Sequence, residues 1–189
     1  NHKYDIQDYD YIDPHYTVIK EDGGELLPPG ELDNKKATKY IKRVVSKENL
    51  EASNEFFIHF VEEVHKRGIR VLLDGVFNHC GSFNKWLDRE CIYEGDGDYE
   101  KGAYEDSPYR NFFKFNNIHE WPYNPYYDGW WGHDTLPKLS YETSQELYDY
   151  IMGIARKWVS PPYNVDGWRL DVAADLGLSA DFNHKFWQD

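Results

Sequence analysis

The run Ile69-Arg-Val-Leu-Leu-Asp-Gly-Val-Phe-Asn-His79 constrains the fold more than any other part of the chain. Its apolar residues are consecutive rather than alternating, which is how a strand reads when both of its faces are covered. Such a strand belongs in a parallel sheet with helices on both sides, so the run predicts an α/β architecture. It closes on Asp74, Asn78 and His79. A second stretch, Val165-Asp-Gly-Trp-Arg-Leu-Asp-Val-Ala-Ala-Asp175, ends on Arg169 and Asp171. Strand residues i and i+2 point to one face, so these two side chains leave the strand end together. A cation beside a carboxylate favours its ionised form, which a carboxylate nucleophile needs. The same spacing also serves a plain structural ion pair.

Helical patterns precede both strands. Phe56, Phe57, Phe60, Val61 and Val64 recur at helical spacing, with Ser53 or Asn54 as the expected cap and Gly68 as the stop. His59 and His65 on this helix read as solvated or packed. Thr143-Ser-Gln-Glu146 is a capping box opening a helix with Leu147, Tyr150, Ile151, Ile154 and Trp158 on one face, ended by Ser160-Pro-Pro162. Glu21 to Gly30 must be a loop, and the Lys-rich piece that follows, to about Leu50, reads as a solvated face. From Gly81 to about Thr143 there is no long periodicity, many aromatics and scattered Gly and Pro. Such a length is more often a functional excursion than a connection.

Four ordered stretches together resemble the α-amylase family of glycoside hydrolases. Asp74-Gly-Val-Phe-Asn-His79 is similar to the signature at the end of that family's third barrel strand, and Gly167-Trp-Arg-Leu-Asp171 to the one ending the fourth. Leu136-Pro-Lys-Leu-Ser140 is worded closest to neopullulanases, cyclomaltodextrinases and amylopullulanases. Asn1-His-Lys-Tyr-Asp5 with Asp8-Tyr9 and Ile12-Asp-Pro14 resembles the segment after strand two. The resemblance implies part of a (β/α)8 TIM barrel, about strands 3 and 4 with their helices, plus an irregular excursion after strand 3. Residues 1–78 and 144–189 would be barrel portions and 79–143 the excursion. A barrel of this kind takes about 250 residues, so 189 residues are expected to hold only part of one.

The resemblance also assigns roles. Asp171 matches the nucleophile and Arg169 its partner; Tyr4 matches a ring that stacks on the sugar, and His79 a donor to a sugar hydroxyl. Asp74 either helps at the barrel end or simply pairs with Arg169. Trp130 and Trp131 are expected on the cleft wall, with Trp131 in contact with substrate. Retaining hydrolysis needs a second carboxyl group about 5 Å from the nucleophile. In the family that group is a glutamate on the fifth strand, and no glutamate follows Glu146 here. These residues alone are therefore not expected to complete the reaction.

No cofactor is implied for the chemistry. Asn78 matches a calcium ligand of many relatives, but the positions of its usual partners hold Ala174 and Asp175, which puts that site in question. Glu94-Gly-Asp-Gly-Asp98 offers oxygens to a hard cation or is merely an acidic loop. The expected partner is an α-glucan, either a starch-like polymer, pullulan or a cyclodextrin. With 34 acidic against 21 basic residues and a net charge of -13, nucleic acid is not a partner class, since phosphate binding needs a basic face. No apolar run reaches eighteen residues, so no membrane partner is expected. Cys80 and Cys91 form one bridge or remain thiols, depending on compartment. An amylopullulanase-like protein would be secreted or on the cell surface and a cyclomaltodextrinase-like one cytoplasmic. Two other readings share these residues. One is an inactive barrel relative that binds glucan or a protein partner. The other is a metal hydrolase using Asp74, His79, His133 and Asp171, for which no compact ligand motif exists.

Overall fold

The computed structural model describes residues 2–93, 107–115 and 127–189. Its regular elements are α1 (Thr38–Val45), α2 (Lys47–His65), β1 (Leu72–Gly75), α3 (Gln145–Val159), β2 (Gly167–Leu170) and α4 (Ala180–Gln188). β1 and β2 pair in parallel with Leu72 opposite Gly167 and Asp74 opposite Arg169. Parallel pairing requires a long crossover, and here it contains the excursion and α3.

One face of this small sheet is covered. Leu73 and Trp168 pack against the main core, and the Trp168 indole donates to the Ala155 carbonyl of α3 at 3.3 Å. The other face is open, so the expectation of strands buried on both sides is corrected. Leu72 is 61% exposed and Ile69 54%. The reason is that the described residues supply two strands and no layer over the face of Leu72, Asp74 and Arg169.

Helix α2 starts earlier than its phenylalanine stripe suggested. Ser46 is its N-cap, accepting from the Asn49 N–H, and Ser53 and Asn54 lie buried inside the helix. Their polar groups, with those of Asn49, hold the N-terminal loop. Asn54 donates to the Asp10 carbonyl at 2.9 Å and accepts from the Ile12 N–H at 3.0 Å. Asn49 accepts from the backbone N–H groups of Lys20 and Glu21 at 2.7 and 2.8 Å. A loop with no ladder of its own must find partners for its backbone, and this helix face supplies them. Phe57 and Val61 are buried, whereas Phe56 and Phe60 are each 44% exposed. Gly68, at φ +71°, ends the helix region as expected.

The Lys-rich piece is not merely a solvated face. Helix α1 buries Val44 and Val45 in a second small core with Ile92 and Tyr93. Helix α3 buries Leu147, Ile151, Ile154 and Trp158 as expected, but its cap is Ser144, which accepts from the Leu147 N–H at 3.1 Å. Thr143, placed first in the capping box, instead donates to the Ser140 carbonyl at 3.0 Å. The main apolar cluster joins Tyr9, Phe77, Trp86, Phe112, Tyr127, Ile151 and Phe186, residues far apart in sequence. No disulfide joins Cys80 to Cys91.

Candidate active site

The backbone leaving β1 is held from three directions. The Tyr9 hydroxyl donates to the carbonyls of Val76 and His79 at 2.8 and 3.0 Å, and the Tyr141 hydroxyl to that of Phe77 at 2.5 Å. Burial pushes both phenols well above the ordinary tyrosine range, so both remain donors. The Leu136-Pro-Lys-Leu139 stretch lies antiparallel alongside, with Leu139 N–H on the Asn78 carbonyl and Cys80 N–H on that of Pro137, each 3.0 Å. Two of the sequence signatures are thus bonded to each other.

At the end of β2 the Asp171 N–H donates to the Gly75 carbonyl of β1 at 3.1 Å, which ties the two strand ends. Arg169 Nη1 donates to Asp171 Oδ1 at 2.6 Å and to Asp74 Oδ1 and Oδ2 at 3.0 and 3.2 Å. The hydrogen bonds to Asp74 and then Asp171 hold the guanidinium above the ordinary arginine value. One nitrogen carries all three contacts, so the arginine bridges two carboxylates rather than clasping one with a two-pronged fork. The Asp171 side chain is 15% exposed, against 43% for Asp74 and 55% for Arg169.

A cavity of ≈ 460 Å³ opens beside Asp171, with Tyr4, His79, Trp130, His133 and Leu136 in its wall. Burial pushes the His79 imidazole below the ordinary histidine value, outweighing the pull of the Asp171 charge. Asp74 lines a different cavity of ≈ 270 Å³, floored by apolar side chains including Leu73, Phe77 and Trp158. Asp171, His79 and Tyr4 share one pocket, while Asp74 connects to it through Arg169. Asp74 and Arg169 stand opposite each other in the strand register, and residues of the 3–16 segment line the smaller cavity together with Asp74.

Trp131, expected in contact with substrate, is 83% exposed, takes the left-handed conformation (φ 51°) in the Trp130–Gly132 turn and is absent from the pocket lining. Trp130 takes the wall position, with its ring stacked on His79 at 5.4 Å between centroids. The turn is tight enough that a Cβ on Gly129 would stand 2.1 Å from the His133 carbonyl oxygen. His2 and Val172 also line the pocket, and no motif singled them out.

At Asn78, where a calcium site is in question, the described residues show no set of carboxylates. The Asn78 amide is buried and neither side-chain atom has a partner, an orphaned group that would suit some ligand. However, calcium takes six to eight oxygens. The Asp175 carboxylate lies 3.4 Å from the Lys138 ammonium. Among the described residues no group of three or more His, Cys, Asp or Glu could hold a metal, which also removes support from the metal-hydrolase reading. The Glu94–Asp98 loop lies outside the described residues. Among the described residues no helix is long and apolar enough to cross a membrane.

Comparison with known proteins places this geometry in a family. The profile described as alpha amylase, catalytic domain, matches residues 52–187. The chain is 30% identical over 190 residues to an intracellular maltogenic amylase of Bacillus subtilis, covering 100% of this chain and 23% of the relative. It is 29% identical to an amylopullulanase of Thermoanaerobacter thermohydrosulfuricus, covering 99% of this chain and 11% of that one. The crystal structure of an acarbose-soaked debranching enzyme from Nostoc punctiforme superposes with a TM-score of 0.61 at 27% identity, over 100% of this chain and 30% of that one. The chain thus spans about a quarter or less of the relatives' length, and it belongs to the α-amylase catalytic-domain family.

Proposed function

We propose that this chain carries the nucleophile of a retaining glycoside hydrolase that cleaves α-glucosidic bonds in starch-like glucans, pullulan or cyclodextrins. The observation that carries the reading is Asp171, paired with Arg169 at the C-terminal end of a parallel strand and bordering a pocket that also holds His79 and Tyr4. In barrels that end of the strands bears the chemistry. The names of the relatives, a maltogenic amylase and an amylopullulanase, support the substrate class.

In this reading β1 and β2 are the third and fourth strands of a (β/α)8 barrel. Residues 1–78 and 144–189 are barrel portions, and 79–143 form the excursion beside the cleft. Asp171 attacks the anomeric carbon, and an ester bond forms as the glycosidic bond breaks. The leaving oxygen takes its proton from a carboxylic acid, and water then hydrolyses the ester. Asp74 is not placed for the acid role, since it is engaged with Arg169 and borders the other cavity. The acid comes from a glutamate that these residues do not contain, so the chain alone is inactive. Arg169 orients Asp171 and offsets its charge, while Asp74 anchors the same guanidinium nitrogen. Neutral His79 donates to a sugar hydroxyl, and Tyr4 offers a face to the sugar ring.

The test is Asp171→Asn in the full-length protein. The nearly isosteric amide should abolish turnover of pullulan and β-cyclodextrin while calorimetric binding of acarbose persists. Turnover within a few-fold of the wild type would contradict the reading.

A further inference from the structure

The wall of the larger pocket holds two adjoining rings whose polar atoms are unanswered. Both His79 ring nitrogens are closed off from water and have no hydrogen-bond partner, and the same is true of Trp130 Nε1. The backbone of Tyr4 lies near enough to act on the imidazole but is not in hydrogen-bonding geometry. The indole covers the imidazole at 5.4 Å between centroids with 28° between planes. Buried polar groups without partners are uncommon and costly, and a cluster of them in a cavity wall calls for an explanation. Sugar hydroxyls both donate and accept, so they match one imidazole N–H, one imidazole lone pair and one indole N–H together.

We propose, resting on the glucan reading above, that Trp130 is a positioning residue that covers His79 and must be displaced by the incoming sugar before His79 can engage a hydroxyl. The movable partner is the indole. His79 is fixed through its own carbonyl, held by Tyr9, and through the bonded neighbours Asn78 and Cys80. The Trp130 backbone is fixed as well, its N–H on the Leu136 carbonyl at 2.9 Å and its carbonyl receiving the His133 N–H at 3.0 Å. The displacement is therefore a rotation of the side chain, not an opening of the loop. Trp130 thereby decides which sugars reach His79, since only a ring that offers its own face and hydroxyls replaces the stacked indole.

The experiment measures acylation of histidines by diethyl pyrocarbonate in the full-length protein at one fixed pH, mapped by peptide mass. The reagent attacks a neutral ring nitrogen that it can reach. The exposed His59 on α2 serves as the internal reference. His79 in the wild type should react at least about tenfold more slowly than His59, the suppression expected of a local opening step. Trp130→Ala should bring His79 to within about threefold of His59, and saturating acarbose should restore protection in that variant. Trp130→Phe, which keeps a covering ring, should leave His79 slow while raising KM more than it lowers kcat. Equal His79 reactivity in the wild type and Trp130→Ala would overturn the proposal, whatever the substrate. A Trp130 effect without protection by acarbose would overturn the glucan reading and leave the cover standing.

Discussion

Replacing Lys85 by Met should be among the most damaging single changes to stability. The Lys85 side chain is 8% exposed and its ammonium lies 2.9 Å from Asp8 and 3.3 Å from Asp10. Burial works to depress its pKa, but the two facing carboxylates outweigh that and hold it above the ordinary lysine value. Asp10 is also bound by Lys157 at 3.0 Å and by the Tyr150 hydroxyl, both from α3. Asp8, whose side chain is 6% exposed, also accepts from the Asp10 N–H at 2.9 Å, a neutral donor beside the Lys85 cation. Methionine fills much of the lysine's volume, so the loss is chiefly electrostatic: an ionised carboxylate remains buried beside an apolar group. Breaking a buried pair in this way costs about 3 to 5 kcal/mol, a large share of the roughly 5 to 15 kcal/mol that holds a domain together. Urea denaturation of the full-length protein, followed by circular dichroism, measures it. The double variant Asp8→Asn with Lys85→Met should recover most of the loss, because the uncompensated charge is gone. A loss below about 1 kcal/mol for Lys85→Met, or a double variant no better than the single, would refute the reasoning. The same network has a functional reach, since Asp8 and Asp10 flank Tyr9, whose hydroxyl braces the backbone at Val76 and His79.

Three further outcomes follow from the site. The depressed His79 pKa means that the unfolded chain binds more protons than the folded one, so stability should fall as pH drops from about 6.5 through the lower folded value; His79→Gln should flatten that slope in denaturation midpoints measured across the window. Tyr4→Ala should reduce kcat/KM on oligosaccharides by about tenfold or more, a loss of about 1.4 kcal/mol of transition-state binding, whereas Trp131→Ala, at a position 83% exposed, should change it less than about twofold in the same steady-state assay. Gly129→Ala would force a Cβ to 2.1 Å from the His133 carbonyl oxygen, so the turn carrying Trp130 must shift, and acarbose affinity by calorimetry should drop while Gly153→Ala, where a Cβ meets nothing within 4 Å, leaves it unchanged.

Much of this architecture could be read from residue order, and the misses have physical causes. The parallel pairing of β1 and β2 and the convergence of Arg169 on Asp171 follow from two apolar runs that each close on charged residues. The start of α2 was hidden because Ser53 and Asn54 are good caps in isolation, yet here their side chains bond a loop distant in sequence. Nothing in local propensity signals such a tertiary use. Trp130 and Trp131 are indistinguishable by type, and only the left-handed turn decides which ring faces the pocket. The glycines on either side of the pair, Gly129 and Gly132, were the available hint of a tight turn. Residue order left two roles open for Asp74, and only the folded geometry shows its carboxylate paired with Arg169, which stands between it and Asp171.

The central claim is that Asp171 forms the bond to the sugar. Incubating the full-length protein with a mechanism-based fluorosugar of the α-gluco series and mapping the labelled peptide by mass tests it most directly. The account predicts a single glycosyl ester on Asp171, absent from Asp171→Asn. A label on Asp74, or on any other residue, would contradict it.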